Sequence, residues 1–524
     1  MTLTTGTTAG PGTGQTRSPA RWAILAVICL AQFAAVLDNT VLNVAIPSLT
    51  RDLDATTSDV QWIVNAYSLV QSGLLLAAGS AADRYGRKRL LLAGLTVFGA
   101  GSLAAGLADT TGQLTAARAG MGIGGALLLT TTLAVVVQVF DAAERPRAIG
   151  VWGAVNALGF AAGPPIGGLV LAHFHWGALF LANLPVVVFA LLAVRLLVPE
   201  SRAPGGGPPD LLGVLLSTVG MTAVVLAITQ GPESGWSSPR VLLPAAGGLL
   251  VLAVFARWEH HVRHPMLDPH FFRDRRFVGA VVGVVLITFG SAGVLFLLTQ
   301  QLQFVHGYSP LAAGLHLAPF ALTVVVLNAT GLTARVVGRL GHPLAIASGM
   351  SLLAGGFVAV ALSAGYGPLL LGLLLMGTGC AFANPAIVEA VMSAIPPDRA
   401  GAGAGVDGTM AEIGNSLGVA ALGAVLNARF AALLPAAAAG AGSLPAALAA
   451  ARTEADRAAV LEAFTAGIST SQLLGAAAVL VGGCLAAVLL RSAGRVVHPV
   501  PPPEDVGPRP DDNASRGLAE KIHE

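Results

Sequence analysis

Long apolar runs, each near the roughly 20 residues a helix needs to cross a bilayer about 30 Å thick, alternate with short polar breaks along most of the chain. The first runs from Trp22 to Pro47, and others fall at 58–80, 88–108, 114–139, 146–172 and 177–198. A Pro- and Gly-rich stretch, 199–210, interrupts the series before two runs at 211–230 and 241–257. After the charged loop 257–276, six more follow at 277–304, 309–335, 342–362, 367–392, 400–430 and 465–490. The pattern predicts an all-α polytopic membrane protein of fourteen spans. Two pseudo-symmetric six-helix halves, 22–198 and 277–490, flank a linker, 199–276, that carries two inserted helices. Residues 1–21 read as a disordered cytoplasmic tail and 491–524 as a second cytoplasmic tail. The first run is too long for a signal-peptide core and no small-residue cleavage site follows it, so it is expected to remain as span 1.

Composition leads to the same class. With 54% hydrophobic and 11% charged residues, the 524-residue chain has too little polar surface to be solvated by water and requires a lipid bilayer. The net charge of +2 is scattered among loops, which excludes the basic stripe of a nucleic-acid partner. Its distribution fixes an orientation. Of the 29 lysines and arginines, 23 fall in one alternating set of loops and tails, 5 in the other, and Arg118 within span 4. The rich set belongs to the cytoplasm, with both termini, and a frame shifted by one span would invert the bias.

Other chemistry is expected to be absent. Cys29, Cys380 and Cys484 lie far apart in apolar runs, a placement for small packing residues and not for a disulfide or metal set. His260, His261, His264 and His270 share a solvated loop without four-ligand spacing. Neither lysine, Lys88 or Lys521, stands in a Gly-x4-Gly-Lys-Ser/Thr loop, so no nucleotide site or other cofactor is expected. There is no His-Glu-x-x-His pair of an enzyme, and no soluble signalling domain of a sensor.

The densest charge cluster between two spans is Gly79-Ser-Ala-Ala-Asp83-Arg84-Tyr-Gly86-Arg87-Lys88-Arg89. Gly79 leaves room for a facing helix, Gly86 permits a tight reversal, and Asp83 is placed to brace helix ends. This frame resembles the loop between the second and third spans of the major facilitator superfamily, through Gly79, Asp83, Arg84, Gly86, Arg87 and Lys88. Part of it recurs as Gly331-x-x-Ala334-x-x-x-Gly338-Arg339 at the end of span 10, consistent with related halves. In span 1, Leu37-Asp38-Asn39-Thr40-Val41-Leu42-Asn43-Val44-Ala45-Ile46-Pro47 resembles the pattern of the superfamily's fourteen-span drug:proton antiporters. In span 5, Gly159-x3-Gly163-Pro164-x2-Gly167-Gly168 resembles the antiporter motif. The glycines at 159, 163 and 167 lie on one face and allow close contact, while Pro164 and Pro165 interrupt the backbone ladder. Read from the residues alone, that stripe is equally an ordinary helix interface. In span 4, Arg118-x3-Gly122 resembles an Arg-x-x-Gln-Gly motif, with Met121 in the glutamine's place.

Ionisable residues inside spans cost about 2.5–3.5 kcal/mol each at a helix centre and are rarely idle. They are Asp38, Arg118, Glu389, Asp407 and Glu412. Glu389 reads as an interfacial residue. Asp407 and Glu412 are five residues apart, about 140° around a helix, and cannot both face one spot. Asp38 is the leading proton carrier, with Asp407 and Glu412 as further acids. Burial raises a carboxyl's proton affinity and a nearby guanidinium lowers it, so movement of Arg118 relative to Asp38 would load and unload a proton. His316 in span 10 carries no assigned role.

The resemblance implies a monomeric, proton-coupled exporter of small amphipathic compounds such as drugs or antibiotics, working by alternating access in the cytoplasmic membrane. Four carboxyls against one arginine lean toward lipophilic cations. A facilitator or importer of a polar metabolite is the alternative within transport, and a membrane sensor or intramembrane enzyme the alternative outside it.

Overall fold

In the computed structural model, which describes residues 21–203, 210–363, 365–441 and 443–492, every element is helical. Fourteen of these helices are long and apolar enough to cross a membrane. Spans 1 to 6 are Arg21–Leu42, Ser58–Tyr85, Arg87–Gly106, Thr111–Val139, Arg145–Leu171 and Ala178–Leu197. Spans 7 and 8 are Leu211–Pro232 and Pro239–Glu259. Spans 9 to 14 are Arg275–Val305, Leu311–Ala329, His342–Ala361, Tyr366–Ser393, Pro397–Leu433 and Glu454–Leu490. The two expected tails lie outside the described residues, apart from Arg21 and the helical residues Arg491 and Ser492.

Two boundaries differ from the sequence expectation. Span 10 was expected to reach 335 but ends at Ala329, because Gly331 turns the chain with φ +72° into a separate helix, Leu332–Leu340. The Gly331 repeat is therefore not a structural copy of the Gly79 frame. Gly79 lies within a helix, whereas Gly331 precedes one. Span 14 begins at Glu454 instead of 465, and its helix packs with the short helix Leu444–Ala450.

Lipid gives helices no hydrophobic reason to associate, so contact depends on small residues that let backbones approach. The 65 glycines meet that need. Buried side chains gather in two large clusters, one drawn almost wholly from residues 24–198 and the other mainly from 277–490. Spans 7 and 8 pack on each other where Gly220 faces the Gly248 carbonyl. Asp210 caps span 7 through the amide of Gly213 at 2.9 Å and also accepts the Trp258 indole N–H at the end of span 8. Span 7 in turn lies against span 2, where a Cβ on Gly73 would stand 3.2 Å from the Thr218 carbonyl oxygen. The inserted pair is otherwise largely exposed, with Leu215, Leu243 and Leu250 on its surface as lipid requires.

The two clusters meet along two seams, span 2 with span 13 and span 5 with span 10. The tightest approaches sit at one end of the molecule, which carries the 83–89 turn and the turns before spans 5 and 13, here the basic end. A Cβ on Gly79 would stand 2.1 Å from the Gly401 carbonyl oxygen, and one on Gly405 would stand 2.8 Å from that of Leu75. On the other seam, a Cβ on Gly150 would meet the Asn328 side-chain oxygen at 2.5 Å.

Candidate functional site

Away from the basic end the seams part around a chamber of about 830 Å³. Its floor is Ile149, Gly150, Asn328 and Val388, and its walls carry Trp152, Phe160, Phe296 and Phe320. Asn156, Gln300, Asn384 and Asn415 add amides, and no acidic or basic side chain lines it among the described residues. A second lobe of about 270 Å³ continues from Phe160 and Thr299 toward Val44, Gln303 and Gly314 at the far end. The volume suits a drug-sized ligand, for which pockets of about 300–1,000 Å³ are usual. The molecule is thus closed at the basic end, with its cavity extending toward the other.

The closure is built on the 79–89 segment. Gly86, at φ +109°, lets the helices of spans 2 and 3 meet at a single residue. That geometry sets Asp83 and Arg87 together, with Arg87 Nη2 donating to Asp83 Oδ1 at 2.8 Å. The Asp83 carboxylate accepts the amides of Gly401 and Ala402, both at 2.8 Å, and so caps the first turn of span 13. Arg87 also donates to Gln138 Oε1 at 2.8 Å and to the carbonyls of Pro397 and Asp398 at 2.9 and 3.0 Å. Lys88 donates to the Arg195 carbonyl, and Arg84 is half-buried with no polar partner among the described residues. Glu200, which the sequence did not single out, accepts the amides of Lys88 and Ser201 and stands beside Gly86.

Asp38 and Arg118 form a fully buried ion pair inside the first cluster and not in the chamber wall. Arg118 Nη2 donates to Asn39 Oδ1 at 3.0 Å, and its guanidinium lies over the Tyr67 ring, 4.5 Å from the centroid. Asn183 Nδ2 donates to the other Asp38 oxygen at 3.0 Å and also reaches Ser102 Oγ at 3.3 Å. Tyr67, Ser102 and Asn183 are uncharged, so no insertion cost marks them in the sequence. Met121, in the position expected for glutamine, is buried beside Ser102.

The two acids of span 13 part company, as their spacing predicts. Asp407 shares a face with Gly403, which packs on Met392, and Gly414, which packs on Val285, so it points into the second cluster. Its Oδ1 is buried without a partner among the described residues. Glu412 follows Gly405 and Gly408 toward span 2 and is half-buried. Glu389, expected at the interface, is instead buried at the basic end, 3.7 Å from Arg145 across the seam. The stripe on span 5 packs on span 1: a Cβ on Gly159, Gly163 or Gly167 would meet Val36, Thr40 or Val41 within 3.3 Å. Gly168 faces open space, and the helix runs on through Pro164, whose side chain is outside the described set.

Comparison with known proteins extends this geometry. A family profile described as Major Facilitator Superfamily matches residues 28–419. The multidrug resistance protein Stp of Mycobacterium tuberculosis is 35% identical over 408 residues, which cover 77% of this chain and 76% of that protein. The multidrug efflux pump LfrA of Mycolicibacterium smegmatis is 33% identical over 499 residues, 91% of this chain and 98% of its own. The puromycin resistance protein pur8 of Streptomyces alboniger is 36% identical over 427 residues, 79% of this chain and 84% of its own. Among solved structures, the human organic anion transporter MFSD10 aligns over 90% of this chain and all of its own with a TM-score of 0.61. At 16% identity that likeness is one of fold.

Proposed function

This chain belongs to the Major Facilitator Superfamily and is a membrane transporter, not an enzyme; from that premise we propose that it exports small amphipathic compounds from the cell in exchange for protons, by alternating access. The observation that carries the reading is a drug-sized, aromatic and amide-lined chamber sealed at the basic end, with a separate carboxylate–guanidinium pair buried outside its wall. A chamber that extends away from the sealed end supplies the substrate path, and an ionisable pair outside its wall supplies a proton site that the substrate need not touch. The names of Stp, LfrA and pur8, which concern multidrug resistance, multidrug efflux and puromycin resistance, favour export of drugs.

In this reading the basic end faces the cytoplasm, both tails lie on that side, and the described state is outward-facing. Residues 22–198 and 277–490 are the two moving halves of a monomer, and 199–276 carries the inserted pair along the span 2 and span 13 seam. Asp83, Arg84, Gly86, Arg87 and Lys88 with Gly79 form the cytoplasmic latch. Asp38 with Arg118 couples the proton, and Asp407 and Glu412 are further acids. Gly159, Gly163, Pro164, Gly167 and Gly168 hold span 5 against span 1.

Two measurements test it. Proteoliposomes carrying the protein should accumulate an amphipathic substrate against its gradient only while a proton gradient stands, and a protonophore should stop this. Accumulation indifferent to the protonophore would return the chain to the facilitator class. With the native cysteines replaced, Ser201→Cys, and Ser515→Cys in the tail outside the described residues, should react only from the cytoplasm. Ser443→Cys should react only from outside, and reaction of Ser443→Cys and Ser515→Cys from one face would end the even span count.

A further inference from the structure

Resting on the export reading and narrowing its substrate class, we propose that the chamber selects neutral amphiphiles bearing several carbonyl or hydroxyl oxygens, and that Asn384 and Asn415 recognise them. The chamber wall holds amides from both clusters, Asn156 and Asn328 along one seam and Gln300, Asn384 and Asn415 across from them. Asn156 is already committed: its Nδ2 donates to the Trp152 carbonyl and its oxygen accepts from Gln32 Nε2, each at 3.0 Å. Asn328 is half committed, with Nδ2 donating to the Val324 carbonyl at 2.8 Å and its oxygen buried against Gly150 at the chamber floor without a partner among the described residues. Asn384 is exposed to the chamber and Asn415 half-exposed, and neither has a hydrogen-bond partner among the described residues.

An amide kept from water without a partner is costly, so a substrate that fills the chamber must satisfy these groups or weaken its own binding. Each amide offers two donors and one acceptor, which matches carbonyls and hydroxyls and supplies no counter-charge. The four carboxyls that composition pointed to are placed elsewhere. Asp38 is paired with Arg118, Glu389 lies beside Arg145, Asp407 points into the second cluster, and Glu412 shares the span 2 side of its helix with Gly405 and Gly408. A permanent cation would find only aromatic faces, worth about 0.5–2 kcal/mol. A neutral ring system finds the same faces from Trp152, Phe160, Phe296 and Phe320 and hydrogen bonds besides.

The test uses the full chain in nanodiscs and titrates two kinds of probe by calorimetry: neutral oxygenated amphiphiles of one to four rings, chloramphenicol among them, and the lipophilic cation tetraphenylphosphonium. Neutral probes should bind. Asn384→Ala and Asn415→Ala should each weaken that binding about tenfold and leave the weaker binding of tetraphenylphosphonium unchanged. Asn384→Asp, which keeps the shape and adds a charge, should reverse the order and favour the cation. Melting temperatures matching the parent's separate recognition from folding. Binding confined to tetraphenylphosphonium, no binding by any probe, or neutral binding untouched by both alanine variants would overturn the proposal. Because no gradient is present, this pattern can hold even where export fails. Proton-driven efflux of tetraphenylphosphonium alone, unaffected by the asparagine variants, would keep export and remove the selectivity.

Discussion

Asp83→Asn is expected to lower transport about a hundredfold or more while leaving substrate affinity within a few-fold of the parent. The carboxylate accepts the first amides of span 13 with both oxygens and receives Arg87 as well, and both side chains are buried. Asparagine keeps one acceptor and turns a donor toward the remaining donors, and it removes the negative charge from the positive end of span 13. Breaking a buried ion pair by deleting one partner costs about 3–5 kcal/mol. Because Arg87 and Asp83 tie the span 2–3 turn to residues 397–402, the loss falls on the state closed at the basic end. Roughly two to three and a half decades of population should move to the state open at that end. Ala404→Cys, placed at a position buried in the seam, reports the shift. In a background without native cysteines it should react with an impermeant maleimide from the basic side in the Asp83→Asn variant and stay protected in the parent. Parent-like transport, or equal protection of Ala404→Cys in both, would show that the latch does not set the equilibrium.

The fourteen spans were legible because lipid leaves the chain little choice: a segment without water must bond its own backbone, so length and apolarity suffice to find it. Pairings were less so. Asp38 and Arg118 stand out singly because each is expensive in a span, but nothing in their separation along the chain says that they touch. Their uncharged supports, Asn183 and Tyr67, give no such signal, and neither do Gln138 and Glu200 at the latch. The helical angle between Asp407 and Glu412 was a usable clue, since it depends only on helix geometry. The Gly79 and Gly331 frames show the reverse. One letter pattern serves a helix contact too close for any Cβ in the first copy and a positive φ in the second. A glycine records permission for either and does not say which. For Glu389, nearness to a span end does not reveal burial or that Arg145 lies across a seam.

Asp38→Asn is expected to abolish uphill efflux while exchange of substrate across the membrane persists. For a neutral substrate exchanged for one proton, about 100 mV supplies about 2.3 kcal/mol and one pH unit about 1.4 kcal/mol. Together they sustain a gradient of a few hundredfold, and removing the voltage alone should lower it roughly fiftyfold. Without a titrating carboxyl both contributions go. The variant also leaves Arg118 buried without a counter-charge, held only by amide and carbonyl oxygens and the Tyr67 face, a loss of about 3–5 kcal/mol in its own right. A fall in activity alone would therefore not distinguish an uncoupled protein from an unstable one. The double variant Asp38→Asn with Arg118→Met separates them, since removing both charges of a buried pair is often neutral or stabilising. Its melting temperature should return close to the parent's, its counterflow should match or exceed that of the single variant, and its uphill efflux should stay absent under both ΔpH and voltage. Proton-driven accumulation by the double variant would move the coupling site away from span 1 and place it on the acids of span 13.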